Sequence, residues 1–154
     1  MNLRDAKRID IISDTHGRLS DALLGALEGA DLIIHAGDIT SEADYHELAT
    51  IAPLRAVLGN NDWYYDYGPE VQALAGFTFE GLRFAVAHYR EELPSRGVDV
   101  AVCGHTHRAR AVQLGGGWLV NPGSPTYPRG GRGATMARML VAEGSVLSVE
   151  IIDL

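Results

Sequence analysis

Seven side chains of the types that hold two metal ions fall just past the ends of five apolar runs. They are Asp14 and His16 in Ser13-Asp14-Thr15-His16-Gly17, Asp38 in Gly37-Asp38, Asn60 in Gly59-Asn60-Asn61-Asp62, His88 alone, and His105 and His107 in Gly104-His105-Thr106-His107. All seven offer oxygen or imidazole nitrogen, and the single cysteine, Cys103, lies just before the His-x-His step. Such a set suits manganese, iron, nickel or zinc better than a thiolate zinc site or an all-oxygen calcium cage. Two divalent ions about 3.5–4 Å apart can share a water and lower its pKa from about 15.7 to about 7, which makes a hydroxide nucleophile at neutral pH. Two dications against Asp14 and Asp38 would leave the centre positive and suited to an anionic substrate.

Taken singly, each piece has an ordinary reading: Asp-x-His as solvated loop, Gly-Asp and Gly-Asn as turn dipeptides, His88 as a hydrogen-bonded structural histidine. The case rests on their joint placement, which depends on the elements between them. Residues 8–13, 31–35 and 54–58 read as short buried strands. Between them, residues 20–28 repeat Leu23, Leu24 and Leu27 at helical spacing, and residues 41–50 read as a helix with Ser41 as its cap and Asp44 three residues on. This βαβαβ order predicts parallel strands with helices on the faces. Hairpins follow over residues 77–88, turning at Glu80-Gly81, over 111–120 around Gly115-Gly116-Gly117, and over 134–151 across Glu143-Gly144; residues 98–102 make a further buried strand. Every donor then follows the carboxyl end of a strand, where open α/β sheets bind ligands. Within Asp14/His16 and His105/His107 the i to i+2 step in extended backbone would point both side chains one way. Gly17, Gly37, Gly59 and Gly104 would permit the tight turns. His35, inside a strand, reads as a supporting residue, and His46, on a helix, as solvated.

At 154 residues and 46% hydrophobic, the chain is expected to form one domain over residues 1–154 with a proper core. No stretch reaches the roughly 20 apolar residues of a membrane span, and residues 1–7 lack the apolar core of a signal peptide. One cysteine makes no internal disulfide and fits a reducing cytoplasm. A net charge of −7 argues against duplex nucleic acid as partner, since backbone affinity needs clustered Lys and Arg. A homo-oligomer stays open.

At these residues the chain resembles the calcineurin-like metallophosphoesterase superfamily, whose pattern runs Asp-x-His, Gly-Asp, Gly-Asn-x-Asp/Glu, His, Gly-His-x-His. With Asn121-Pro122-Gly123-Ser124-Pro125 it looks most like the small stand-alone prokaryotic phosphodiesterases, similar in fold to the retromer subunit that serves chiefly as a binding platform. The resemblance implies an α/β fold, a two-sheet β-sandwich flanked by helices in four αββα layers. It implies that Asp14, His16, Asp38 and His107 hold one ion and Asp38, Asn60, His88 and His105 the other, with Asp38 shared. Manganese is the first expectation, with nickel, iron or zinc as alternatives. A hydroxide between the ions would attack phosphorus in line, and the metals would neutralise the charge developing on its oxygens.

Two departures bear on catalysis. Where many members carry Gly-Asn-His, this chain has Asn61, which can donate a hydrogen bond to substrate but delivers no proton at neutral pH. A frequent His-Gly-His becomes His88-Tyr89-Arg90, where Tyr89 would narrow the pocket and Arg90 either binds phosphate or points to solvent. Trp63-Tyr64-Tyr65-Asp66-Tyr67 could stack a base or aryl group or simply pack locally. Arg129 and Arg132 could clamp a phosphate or sit on a solvated loop. The expected activity is hydrolysis of a small phosphoester, most of all a diester, with Asp38, Asn60, Asn61 and His88 facing the reacting phosphate. The alternatives are a metal-retaining protein-binding platform and, against the acidic balance, a nuclease.

Overall fold

The computed structural model describes residues 5–154, so residues 1–4 of the stretch read for a signal peptide lie outside the described residues. Among the described residues, no helix is long and apolar enough to cross a membrane. The elements run β1 (Lys7–Ile12), α1 (Asp21–Leu27), β2 (Leu32–His35), α2 (Glu42–Ile51), β3 (Leu54–Ala56), β4 (Leu74–Phe79), β5 (Leu82–Ala87), β6 (Val100–Val102), β7 (Arg110–Leu114), β8 (Gly117–Asn121), β9 (Thr135–Ala142) and β10 (Ser145–Asp153). Both helices start where a serine can satisfy a free backbone donor: Ser20 Oγ accepts from Leu23 N at 3.2 Å, and Ser41 Oγ from Asp44 N at 3.1 Å.

Two mixed five-stranded sheets result, ordered β10-β9-β1-β2-β3 and β4-β5-β6-β8-β7. The expected parallel core is present, with β1 beside β2 and β2 beside β3. The first hairpin is longer than its sequence pattern, because β4 begins at Leu74, which pairs with Ala87. An exposed Leu74 and a strand Gly76 hide the alternation there. The third strand is shorter than 54–58, since Val57 makes only an isolated bridge to Gln72.

The sheets pack face to face through Ile9, Ile11, Ile34, Phe84, Val86, Val102 and Met139, all buried. The opposite side of the first sheet presents Ile12, Ile33 and Met136 to Leu23 and Leu27 of α1 and Leu48 of α2. On that same side Asp10 is fully buried between Arg8 and Arg138, whose guanidiniums also reach Ala26 O and so satisfy a carbonyl at the end of α1. The outer layer of the second sheet is much thinner: a single 3-10 turn, Arg90–Glu92, lies there in place of a long helix. Residues 88–99, which join β5 to β6, contain Pro94 and Gly97, and this leaves too little uninterrupted chain for an α-helix.

Candidate metal centre

The loops leaving β1 and β2 run side by side and are laced by backbone bonds: Asp14 N to Gly37 O at 2.9 Å, His16 N to Asp38 O at 3.0 Å and Gly17 N to Ile39 O at 2.8 Å. The extended geometry expected within the Asp-x-His and His-x-His steps is not what forms. Asp14, His16, Asp38, His105 and His107 have φ of 56°, 49°, 61°, 71° and 61°, all left-handed. Each such non-glycine residue costs on the order of 1–3 kcal/mol, and the cross-loop bonds hold it there. The glycines also act differently from expectation at two positions. A Cβ at Gly59 would collide with Asp38 Oδ1, and one at Gly104 with Ser13 Oγ and, at 2.7 Å, with Asp14 Oδ2. Both glycines therefore admit a carboxylate against the backbone rather than a left-handed turn.

Six of the seven expected donors converge. Asp14 and Asp38 are buried at the centre, with His88 and His107. Asp14 Oδ1 lies 3.1 Å from His107 Nε2, 3.7 Å from His16 Nε2 and 3.8 Å from His88 Nε2. Asp38 Oδ2 lies 3.5 Å from His88 Nε2 and 3.7 Å from His16 Nε2. His105 joins through Nδ1, 3.3 Å from His88 Nε2, and its backbone N donates to Asp14 Oδ2 at 3.0 Å. The tautomers follow from the outer partners. His88 Nδ1 donates to Ala36 O at 2.8 Å and His107 Nδ1 to Tyr127 O at 2.7 Å, which leaves both Nε2 atoms as lone pairs in the neutral ring. Acceptors thus face acceptors, and Asp14 Oδ1 is buried with no hydrogen-bond partner. A cation is what such a cluster lacks, so the residues fit divalent metal ions. Two overlapping triads, Asp14–His16–His107 and Asp14–Asp38–His88, each place their ligand atoms within 4.8 Å of one another.

Burial works to raise the Asp14 carboxyl, but contacts with His107 and His16, the nearby His88 and Ser13 outweigh it and hold the group well below the usual range. Asp38 is likewise lowered against its burial, by His88 and by the Asn61 backbone N–H. Burial works to lower His88, yet the carboxylates of Asp38 and Asp14 raise it; His107 is raised by Asp14 directly. Cys103 stays outside the set as a buried thiol pushed up to about 11 by desolvation.

The structure adds supporting residues that the sequence reading assigned no role. Asp62, fully buried, accepts from Asp38 N (2.7 Å), Gly59 N (2.8 Å), Thr40 N (2.9 Å) and Tyr67 Oη (2.8 Å). Ser13 Oγ donates to Asp14 Oδ2 at 2.5 Å. In the segment after β8, Ser124 Oγ donates to Asp14 O at 2.8 Å, Thr126 Oγ1 to Thr15 O at 2.8 Å, and Asn121 Nδ2 to Gly104 O at 3.0 Å. The sequence carries a signal for each: Asp62 closes the Gly-Asn-Asn-Asp run, and Asn121 and Ser124 belong to the Asn-Pro-Gly-Ser-Pro segment.

His35 is a support as expected, fully buried between two metal loops. Its Nδ1 accepts from Gly37 N at 3.1 Å, so Nε2 donates to Thr15 Oγ1 at 2.9 Å and the ring is neutral. Desolvation drives its pKa down to about 4, against the charges of Asp62 and Asp14. The unfolded imidazole takes up its proton near pH 6.5 and the folded one only near 4, so stability is full above 6.5 and falls as pH drops through this window. The expected loss is up to about 3 kcal/mol. Urea denaturation of wild type and His35→Gln between pH 4 and 7 checks this: the variant should lose much of the slope, and parallel pH profiles would refute it.

The remaining site expectations divide. Asn60 is exposed beside the centre. Asn61 turns inward, its backbone N and Nδ2 both donating to Asp38, each at 2.9 Å. Arg129 N donates to His107 O at 2.9 Å, so the backbone of this exposed arginine runs beside a metal-ligand candidate. Arg132 is drawn elsewhere, onto Asp153 of β10 at 2.8 Å and onto Ile151 O, so the expected anion clamp does not include it. The carboxylate of the last strand offers a nearer partner than substrate. In the aromatic run, Tyr67 is buried and stacks on Tyr45 at 5.2 Å, whereas Trp63 and Tyr64 are exposed. His46 is exposed on α2, as expected.

Two mixed sheets with an oxygen and imidazole centre at their carboxyl strand ends define a metallophosphoesterase-type protein. Residues 8–144 match the family model described as the calcineurin-like phosphoesterase superfamily domain. A relative described as a probable metallophosphoesterase, from Methanothermobacter thermautotrophicus, is 36% identical over 94% of this chain and 91% of its own length. Among solved structures, vacuolar protein sorting 29 from Cryptosporidium parvum superposes with a TM-score of 0.76 at 16% identity, covering 97% of this chain and 99% of that one. A structure described as a novel archaeal phosphodiesterase gives 0.70 at 24% identity, with 94% and 99% covered. The chain belongs to the calcineurin-like phosphoesterase superfamily.

Proposed function

We propose that this chain is a dinuclear metal-dependent phosphoesterase that hydrolyses phosphodiesters, acting as one catalytic domain with manganese as its first-choice ion. The observation that supports it most is that Asp14 Oδ1, buried with no hydrogen-bond partner, and Asp38 Oδ2 lie 3.1–3.8 Å from three imidazole Nε2 atoms, those of His88 and His107 being lone pairs in the neutral ring. In this reading Asp14, His16, Asp38 and His107 hold one ion and Asp38, Asn60, His88 and His105 the other. Asp38, whose Oδ2 lies 3.7 Å from His16 Nε2 and 3.5 Å from His88 Nε2, would be the carboxylate common to both. Metal ions held there would supply an activated water for attack on phosphorus and offset charge on its oxygens. The chain's own groups do the rest. Ala36 O and Tyr127 O lock the His88 and His107 rings in the ligating tautomer. Arg129 stands next to His107, where its guanidinium can pair with a phosphoryl oxygen. The decisive experiment is a turnover panel of phosphate mono- and diesters, with metal-stripped protein and manganese, nickel, iron or zinc added back. Diester turnover restored by metal supports the reading, and turnover indifferent to chelation refutes it.

Position 61 shapes the substrate range. Its amide is already bonded to Asp38, so no group there protonates a leaving oxygen. Diesters releasing nitrophenolate should therefore outpace those releasing an alkoxide. Asn61→His should narrow that gap by up to about 10²–10⁴-fold, the usual span of general acid catalysis. An equal change for both leaving-group classes would show that position 61 takes no part in proton delivery.

The second reading is a metal-retaining protein-binding platform, and the open cavity of about 620 Å³ on the outer face of the second sheet, bordered by Leu93, Leu114 and Trp118, favours it. Full metal occupancy without turnover of any ester would decide for the platform.

A further inference from the structure

We propose that the cavity beside His105 is a specificity pocket for a terminal phosphate carried on an aromatic or apolar body, at the far end of one arm of the phosphodiester. This rests on the phosphoesterase reading and specifies its substrate class. The cavity, of about 330 Å³, lies within the size range of small-molecule sites. It shares His105 with the metal centre. His105 lines it, with Nδ1 3.3 Å from His88 Nε2, and Tyr89, also in the lining, sets its ring 4.7 Å from that of His105 and 5.3 Å from that of His88. A diester with phosphorus at the metals would therefore pass one arm over His105 into this space.

The lining states what that arm carries. Arg90, Arg108 and Arg110 all border the cavity, with Glu91 as the one carboxylate. Among the described residues, Arg8 and Arg138 pair with Asp10, Arg83 with Asp99 and Arg132 with Asp153, while Arg18, Arg55, Arg96 and Arg129 lie elsewhere, outside the lining of this cavity. No carboxylate pairs with Arg90, Arg108 or Arg110, which gather around one cavity of a chain whose net charge is −7. Guanidinium forks match phosphate geometry, and several together exceed what a single carboxylate arm needs. The 128–133 loop runs beside one of them, since a Cβ added at Gly130 would lie 3.5 Å from Arg108 Cγ. Below the arginines, Leu119, Cys103 and the Tyr89 ring offer an apolar bed for the body between the two phosphates.

The test uses a matched pair of substrates, thymidine 3′-(p-nitrophenyl phosphate) with and without a 5′-phosphate, on the metal-loaded full chain. Both release nitrophenolate, so the ratio of their kcat/KM values isolates the terminal phosphate. The wild-type ratio should favour the phosphorylated member by roughly tenfold or more, and Arg108→Ala or Arg110→Ala should lower it at least several-fold. A wild-type ratio within about twofold of unity, or variants that keep the wild-type ratio, would overturn the pocket. If neither substrate turns over with any metal, the phosphoesterase reading fails by itself and binding then judges the pocket. Calorimetry of thymidine 5′-phosphate should show binding to metal-stripped wild type that the Arg108→Ala/Arg110→Ala variant loses. An absence of wild-type binding would overturn the proposal.

Discussion

Asp38→Asn is expected to empty the centre and to lower diester turnover by on the order of 10²-fold or more. Substitution of groups that merely support metal ligands typically costs 10–100-fold, and Asp38 is proposed as a ligand to both ions. The substitution keeps volume and the hydrogen bonds at the backbone but removes a charge and places an N–H where a lone pair faced His88 and His16, at 3.5 and 3.7 Å. Metal content by elemental analysis and kcat/KM on bis(p-nitrophenyl) phosphate should fall together. Normal occupancy with normal rate would remove Asp38 from the shared position. Asp14→Asn should behave alike, because Oδ1 of that residue is the atom that three imidazoles surround.

Asp62→Ala should be the most destabilising single change at the centre, although Asp62 is not itself an expected ligand. Its carboxylate collects four close donors, from the backbones of Asp38, Thr40 and Gly59 and from the Tyr67 hydroxyl, with Ile39 N at 3.4 Å as a fifth. Removal leaves several of these buried and unpaired at about 1–3 kcal/mol each, so the expected loss is about 3–5 kcal/mol after relaxation. It also frees Asp38 from its left-handed backbone at φ 61°, so metal affinity should drop too. Tyr67→Phe, which deletes one of these bonds, should cost about 1 kcal/mol. Urea unfolding of both variants in metal-free buffer checks the pair. A loss below about 1 kcal/mol for Asp62→Ala would show that the loops hold their shape without this carboxylate.

Several features of this molecule are local and could be read from the chain. The caps Ser20 and Ser41 act on backbone three residues away, the Ile-rich strands alternate or run apolar according to burial, and the donors follow strand ends in a fixed order. Asp62 shows the limit, since its residue type was visible in Gly-Asn-Asn-Asp while its partners, Asp38 N and Thr40 N, are brought to it only by the parallel pairing of β2 with β3.

Residue types and their order establish which donors exist, that they are oxygen and imidazole rather than thiolate, and that strand ends carry them. Which atoms of those donors face one another depends on how the loops are brought together in the fold. The ligating tautomers of His88 and His107 depend on carbonyls of Ala36 and Tyr127, and a backbone carbonyl leaves no trace in residue type. The left-handed φ of five donors is imposed by bonds between loops from different strands, against the intrinsic preference of each residue. Arginines that look alike in sequence part company for the same reason: Arg132 falls within reach of Asp153 on β10, while Arg108 and Arg110 have no carboxylate partner beside His105. A charged side chain pairs with what the sheet order brings near it, and that order is a property of contacts distant in the chain.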